Sequence, residues 1–289
     1  MGMVEAAPDL LSLVLALRPV ARPDRPAAAW WGRASHALLL DTVERTDAAL
    51  ARSLHEGSGP RPFTASSLLG HFPAGRADPD EVYTLRFTAL RSDVARSLLA
   101  AALPGGAWAP GSVLTLDGLP LHVLGALTGA DEHPWAGAET YAGLAAARLV
   151  GGDPAARQIS LLFTSPTSFR SQERHVPLPL PELVFGSLLE RWNAFAPIAL
   201  PAEVKRYAAE CLAISRYDLA TRPVPGKEGG LRVGAVGQIT YATLNYDRYW
   251  MSILHALAAF ALFSGVGVGT ASGLGQCRPA DRDDSRPEG

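Results

Sequence analysis

The sequence predicts an α+β protein built from two βαββαβ units in tandem. Two observations carry this. Hydrophobic periodicity gives the same order of strand, helix, strands, helix and strand in each half of the chain. The length of 289 residues, 48% hydrophobic and 19% charged, suits two packed cores rather than one.

In the first half, "LLSLVLALRPV" (10–20) reads as a strand closed by Pro19. Ala34, Ala37, Leu38 and Val43 then recur at helical spacing. Thr46-Asp47 resembles a fresh N-cap, and the helix it opens stops at Gly57. "YTLRFTAL" (83–90) alternates as a strand does, and "RSDVARSLLAAAL" (91–103) is an amphipathic helix with Ser92 or Asp93 as its cap. "SVLTLDGLPLHVLGAL" (112–127) reads as a hairpin turning at Asp117-Gly118.

The second half repeats the pattern. "RQISLLFTS" (157–165) is a strand, and "PELVFGSLLERWNAF" (181–195) a helix with Pro181 tolerated in its first turn. "CLAISRYDLAT" (211–221) and "VGAVGQITYATL" (233–244) are strands, 248–264 is an apolar helix, and "GLGQCRP" (273–279) is a short last strand. The expected organisation is a first ferredoxin-like, RRM-like unit at 1–130, a Gly-, Ala- and Asp-rich linker at 131–155, a second such unit at 156–280 and a polar tail at 281–289. No residue-level repeat relates the halves.

Composition excludes several classes. The net charge of −2 gives no global field for a polyanion. Lys205 and Lys227 are the only lysines, so arginine supplies nearly all the positive charge. A GC-rich genome accounts for that bias, and so does a need for phosphate-binding forks. Cys211 and Cys277 form neither a disulfide framework nor a metal-ligand spacing, so no metal and no other cofactor is expected. The N-terminus lacks a secretory pattern, and the apolar run at 250–269 contains His255 and dissolves into glycines after Ser264. A cytoplasmic protein without a membrane span is the expectation.

Three stretches carry candidate chemistry. "GVGVGTASGLGQCR" (265–278) holds five glycines in eleven residues. It follows a helix and leads into a last strand, the reverse of a dinucleotide fingerprint, and it has no Walker lysine. Either a tight loop or a backbone cradle for a polynucleotide accounts for it, with Gly265, Gly267, Gly269, Thr270, Ser272, Gly273, Gly275 and Arg278 as candidate contacts. In "ARSLHEGSGPRPFTASSLLG" (51–70), His55 lies in the last turn of its helix, where the imidazolium is favoured, and Arg61 follows a Gly-Pro turn. A simple capping histidine is the other account of His55. In "GRASHALLLD" (32–41), His36 lies near a helix start beside Arg33 and Ser35.

The C-terminal stretch resembles the signature of the CRISPR repeat-RNA processing endoribonucleases, in which an apolar helix precedes G-x-G-x-x-T-x-x-G-x-G-x-x-R. Gly265, Gly267, Thr270, Gly273, Gly275 and Arg278 match its fixed positions. "ISLLFTSPTSFR" (159–170), "PLPLPELVFGSLLERWNAFAP" (177–197) and "LHEGSGPRPFTASSL" (54–68) resemble further segments of that family, in the right order. The resemblance implies two ferredoxin-like units and metal-independent cleavage of CRISPR repeat RNA, in which a 2′-hydroxyl attacks the adjacent phosphate and leaves a 2′,3′-cyclic phosphate.

It further implies His55 as general acid or base, His36 as its partner and Arg61 as the stabiliser of phosphate charge. It also implies RNA contacts at the glycine-rich stretch and at Arg170. Leu40 stands where some members carry a tyrosine, and it cannot exchange protons. The partners implied are CRISPR repeat RNA and other CRISPR-associated proteins of an interference complex, with the chain a monomer or a homodimer. The competing readings are a non-catalytic repeat-RNA-binding subunit and a small-molecule-sensing pair of ferredoxin-like domains.

Overall fold

The computed structural model describes residues 8–57, 59–150, 154–226 and 230–280; the tail at 281–289 and Lys227 lie outside the described residues. The chain divides into two compact units. The first takes the residues up to Thr140 together with Ala271–Gly273, and the second takes Tyr141–Thr270 and the residues from Leu274 onward.

The first unit is built from β1 (Leu10–Pro19), α1 (Gly32–Thr46), α2 (Ala48–Glu56), β2 (Phe63–Ala65), β3 (Tyr83–Ala89), α3 (Ser92–Ala102), β4 (Val113–Leu116), β5 (Leu119–Leu127) and β6 (Gly137–Glu139). The sheet runs β2-β3-β1-β5-β4, with β6 also pairing β1. Apart from the added β4 arm and the short β6, this is the antiparallel ferredoxin-like order. The central strand β1 pairs antiparallel with β3 on one side and β5 on the other. Leu10 through Leu15 are buried without interruption, because both faces of β1 are covered. The turn between β4 and β5 places Asp117 and Gly118 at φ 47° and 75°, the mirror-image turn that a two-residue hairpin favours.

Local chemistry sets the helix boundaries. The Asp47 side chain accepts from the Leu50 N–H at 2.8 Å and so opens α2 afresh after α1. At α3 the N-cap residue is Arg91 rather than Ser92 or Asp93. Asp93 sits one position inside, accepts from the Val94 N–H and pairs with the Arg91 guanidinium.

The segment 131–155 is more than a connector. Its β6 pairs with β1, and the Ser12 hydroxyl donates to the Trp135 carbonyl. The Arg86 guanidinium lies over the Trp135 ring, 4.8 Å from its centroid, so this segment helps cover the second face of the first sheet. Helix α4 (Tyr141–Leu149) follows and belongs to the second unit. Small residues dominate 141–149 and leave Tyr141 and Leu144 as its buried anchors, too weak a pattern to read from sequence.

The second unit continues with β7 (Gln158–Thr167), β8 (Phe169–Ser171), β9 (Arg174–Val176), α5 (Pro181–Phe195), α6 (Glu203–Cys211), β10 (Leu212–Pro225), β11 (Leu231–Thr243), α7 (Arg248–Ser264) and β12 (Cys277–Pro279). Its sheet order β10-β11-β7-β12 repeats that of the first unit, and β8–β9 is a separate hairpin. Helix α7 is buried on nearly every side because α4, α5, α6, β7 and β12 surround it. That explains an apolar run without amphipathic relief. No helix among the described residues is long and apolar enough to cross a membrane.

Phe87 and Trp108 stack in the first core with centroids 4.7 Å apart, both fully buried. Replacing Phe87 with alanine is expected to cost about 3–5 kcal/mol of stability, read as a lowered urea midpoint.

Candidate active site and glycine-rich segment

Three of the candidate groups converge in the first unit. Helix α1 opens at Gly32 after Trp31, whose N–H is held by the Ser67 hydroxyl at 3.1 Å. One turn further on, His36 is half-buried, with its ring tilted on Phe63 at a centroid distance of 5.4 Å. His55 occupies the last turn of α2 and is exposed. Arg61 folds back over that helix end and donates to the Leu54 carbonyl, which sets its guanidinium beside the turn that carries His55.

Electrostatics ties the three together. Burial pushes the His36 imidazole below its ordinary value of 6.5. A hydrogen bond to the Ala271 carbonyl opposes this, while the charges of Arg61 and His55 add to the depression. His36 is therefore neutral at pH 7 in a positively charged neighbourhood. Leu40 packs against the core of this unit, so its helix position supplies no proton-transfer group.

The glycine-rich stretch is closed by the protein's own backbone. Gly265, Gly267, Gly269, Gly273 and Gly275 all have φ between 58° and 94°, in the left-handed region. At Gly275 a side chain would also collide, its Cβ falling 2.0 Å from the Val266 carbonyl oxygen. The N–H groups of Gly265, Val266, Gly267, Val268, Leu274, Gly275 and Gln276 already donate within the protein, to Ala261, Gly275, Ser187, Ser168, Gly269, Pro166 and Ser165.

A phosphate therefore finds no open amide at Gly265, Gly267 or Gly275. Thr270 is buried, its methyl group packed between Gly265 and Gly275. Gly273 is buried as well. Arg278 is buried on β12, with Nη1 donating to the Pro279 carbonyl at 2.9 Å. Of the candidates in this stretch, Gly267, Gly269 and Ser272 keep partial exposure. Close packing, rather than a ligand, accounts for most of the glycines.

Two residues missing from the sequence reading anchor the stretch in the second unit. Ser187 and Arg191, one turn apart on α5, grip Gly267 from both sides. The Ser187 hydroxyl accepts from the Gly267 N–H at 2.8 Å, and Arg191 Nη2 donates to its carbonyl at 2.7 Å. Desolvation pushes the buried Arg191 guanidinium down to about 10, still charged at neutral pH. The signal was present: Arg191 falls on the apolar stripe of Val184, Leu188 and Trp192, where a charge needs a buried partner.

Arg170 is exposed on β8, opposite His175 and close to Arg174, both exposed on β9. The connecting turn holds Gln172 and Glu173 at φ 46° and 62°. This hairpin of the second unit presents three basic groups, Arg170, Arg174 and His175.

Comparison with known proteins follows the same lines. The family model described as CRISPR-associated endoribonuclease Cas6 matches residues 161–277. A Cas6 of Mycobacterium tuberculosis (strain H37Rv) is 29% identical over 134 residues, which is 46% of this chain and 42% of that relative. Among solved structures, a Cas6 product complex (TTHB231, from Thermus thermophilus) is similar with a TM-score of 0.75 at 27% identity, covering 95% of this chain and all of that one. A second Cas6 product complex (TTHA0078) gives 0.73 at 27%, covering 94% and 99%. A Cas6-related protein of Pyrococcus furiosus shares the fold, with a TM-score of 0.59 at 12% identity over 94% and 99% of the two chains.

Strand order defines a tandem ferredoxin-like protein, the fold it shares with the Cas6 structures above. In its second unit and in its fold the chain is similar to Cas6 endoribonucleases.

Replacing Gly275 with alanine is expected to destabilise the protein by more than about 2 kcal/mol. The left-handed backbone alone costs roughly 1–2 kcal/mol, and the collision with Val266 adds to it. A lowered melting temperature checks this.

Proposed function

We propose that the protein is an endoribonuclease that cleaves CRISPR repeat RNA without a metal ion. The observation that carries this reading is the convergence of His36, His55 and Arg61 in the first unit, felt as the charges of Arg61 and His55 at the His36 ring. Similarity to the Cas6 family and the product complexes of similar Cas6 proteins support RNA as the substrate.

The step needs a base, an acid and a charge stabiliser. Neutral His36 takes the proton of the 2′-hydroxyl as its oxygen attacks the adjacent phosphorus. The exposed His55, protonated, gives its proton to the departing 5′-oxygen. Arg61 stabilises the charge that builds on the phosphorane oxygens. The products are a 2′,3′-cyclic phosphate and a free 5′-hydroxyl.

RNA backbone meets the partly exposed Gly269 and Ser272, and the basic hairpin of Arg170, Arg174 and His175 adds a second contact. Guide RNAs made this way pass to other CRISPR-associated proteins of an interference complex. The protein works as a monomer or homodimer in the cytoplasm.

The test is cleavage of a synthetic CRISPR repeat RNA in excess chelator. His36→Ala and His55→Ala are each expected to lower the single-turnover rate by about 10²–10⁴ while RNA binding persists. A requirement for magnesium overturns the mechanism. Binding without cleavage by the unaltered protein favours a passive RNA-binding subunit.

The pH profile gives a second test. A base held below the ordinary imidazole value keeps working at lower pH, so the acid limb of the profile falls below pH 6.5. Because the Arg61 charge depresses His36, Arg61→Gln is expected to move that limb to higher pH as well as to slow the reaction.

A further inference from the structure

Residues Ala271–Gly273 belong to the first unit although they lie near the end of the sequence, and they meet the helix that carries His36. The His36 Nδ1 lies 2.9 Å from the Ala271 carbonyl oxygen. A carbonyl only accepts, so Nδ1 carries the hydrogen and the neutral ring is left with a bare Nε2.

We infer that Ala271–Gly273 form a positioning element for the catalytic base: the Ala271 carbonyl fixes His36 as the Nδ1–H tautomer and leaves Nε2 to take the proton of the RNA 2′-hydroxyl. The inference deepens the endoribonuclease reading and rests on it. The logic is that of a nucleophile's base oriented by a third group on its far nitrogen, with a backbone carbonyl in that role.

Four features hold the carbonyl in place, none of which touches the reacting nitrogen. Trp30 Nε1 donates to the Ser272 carbonyl at 3.0 Å. Gly32 opens α1 without a side chain, and a Cβ there would lie 1.9 Å from the same Ser272 oxygen. Gly273 is left-handed at φ 94°, and a Cβ there would lie 2.7 Å from Trp30 Cζ2. Gly273 also bridges to Ser66, next to the Ser67 that holds the start of α1.

The tip is thus fitted to the first turn of α1, and His36 follows one turn later. A glycine at a helix start and a tryptophan before it have no catalytic chemistry of their own. Their close fit to Ser272 and Gly273 sets the distance between Ala271 and His36.

The test compares wild type with Trp30→Phe, which removes the indole N–H together with the ring edge packed on Gly273, and Gly32→Ala, which pushes the tip away. Long-range ¹H–¹⁵N spectra of the RNA-free protein read the His36 tautomer, and single-turnover cleavage of a synthetic CRISPR repeat RNA reads the chemical step. Wild type is expected to show the Nδ1–H form. Both variants are expected to lose its dominance and to slow the chemical step at saturating RNA by roughly 10- to 100-fold, more than any loss of RNA affinity through Ser272.

Wild-type His36 in the Nε2–H form overturns the inference, as does a variant that loses the Nδ1–H form yet cleaves at the wild-type rate. If Gly32→Ala does not fold, Trp30→Phe decides by the same two readouts. A wild-type Nδ1–H form together with no RNA cleavage supports the positioning contact and overturns the endoribonuclease reading instead.

Discussion

Val266 donates its N–H to the carbonyl of Gly275 at 2.9 Å, and this crossing closes the glycine-rich stretch into a loop whose two stems run side by side. The strands of the loop approach so closely that a Cβ on Gly275 or Gly265 would meet a carbonyl oxygen. With the stems fixed, Arg191 and Ser187 hold Gly267 in the second unit, and the residues between the stems reach their own partners in the first. A left-handed backbone costs glycine little, so the geometry is cheap for glycine and prohibitive for other residues. What reads in the sequence as a ligand-binding signature is first a solution to packing backbone on backbone.

The fold was legible where pattern was strong. Helices α5 and α7 begin and end where their periodicity, Pro181 and the first glycine after Ser264 indicate. The Asp117-Gly118 turn follows from the dihedral needs of a two-residue hairpin. The short β2, β6 and α4 were not legible. Three-residue strands carry no usable period, and an alanine-rich helix with two buried anchors resembles a connector.

The site was legible only in part. His36, His55 and Arg61 stand out as candidates because each sits at a helix end or after a turn, where a titratable group has a specific electrostatic role. Their proximity depends on α2 folding back after α1 and on Arg61 binding the Leu54 carbonyl, neither of which is written in spacing. The Ala271 carbonyl lies 235 positions from His36, and a backbone acceptor has no residue type to betray it. Arg191 was the missed opportunity, since a cation on an apolar helix face announces a buried acceptor.

The first unit is discontinuous in sequence, and that has a consequence for biosynthesis. Chains emerge from the ribosome N-terminus first, and domains fold largely as units during that emergence. A nascent chain therefore displays His36, His55 and Arg61 well before Ala271 exists to order the first of them. Its sheet and helices form early, while the His36 imidazole acquires its partner only after the second unit has been made as far as Thr270. The order of synthesis leaves His36 without its Ala271 contact until the glycine-rich stretch has been made.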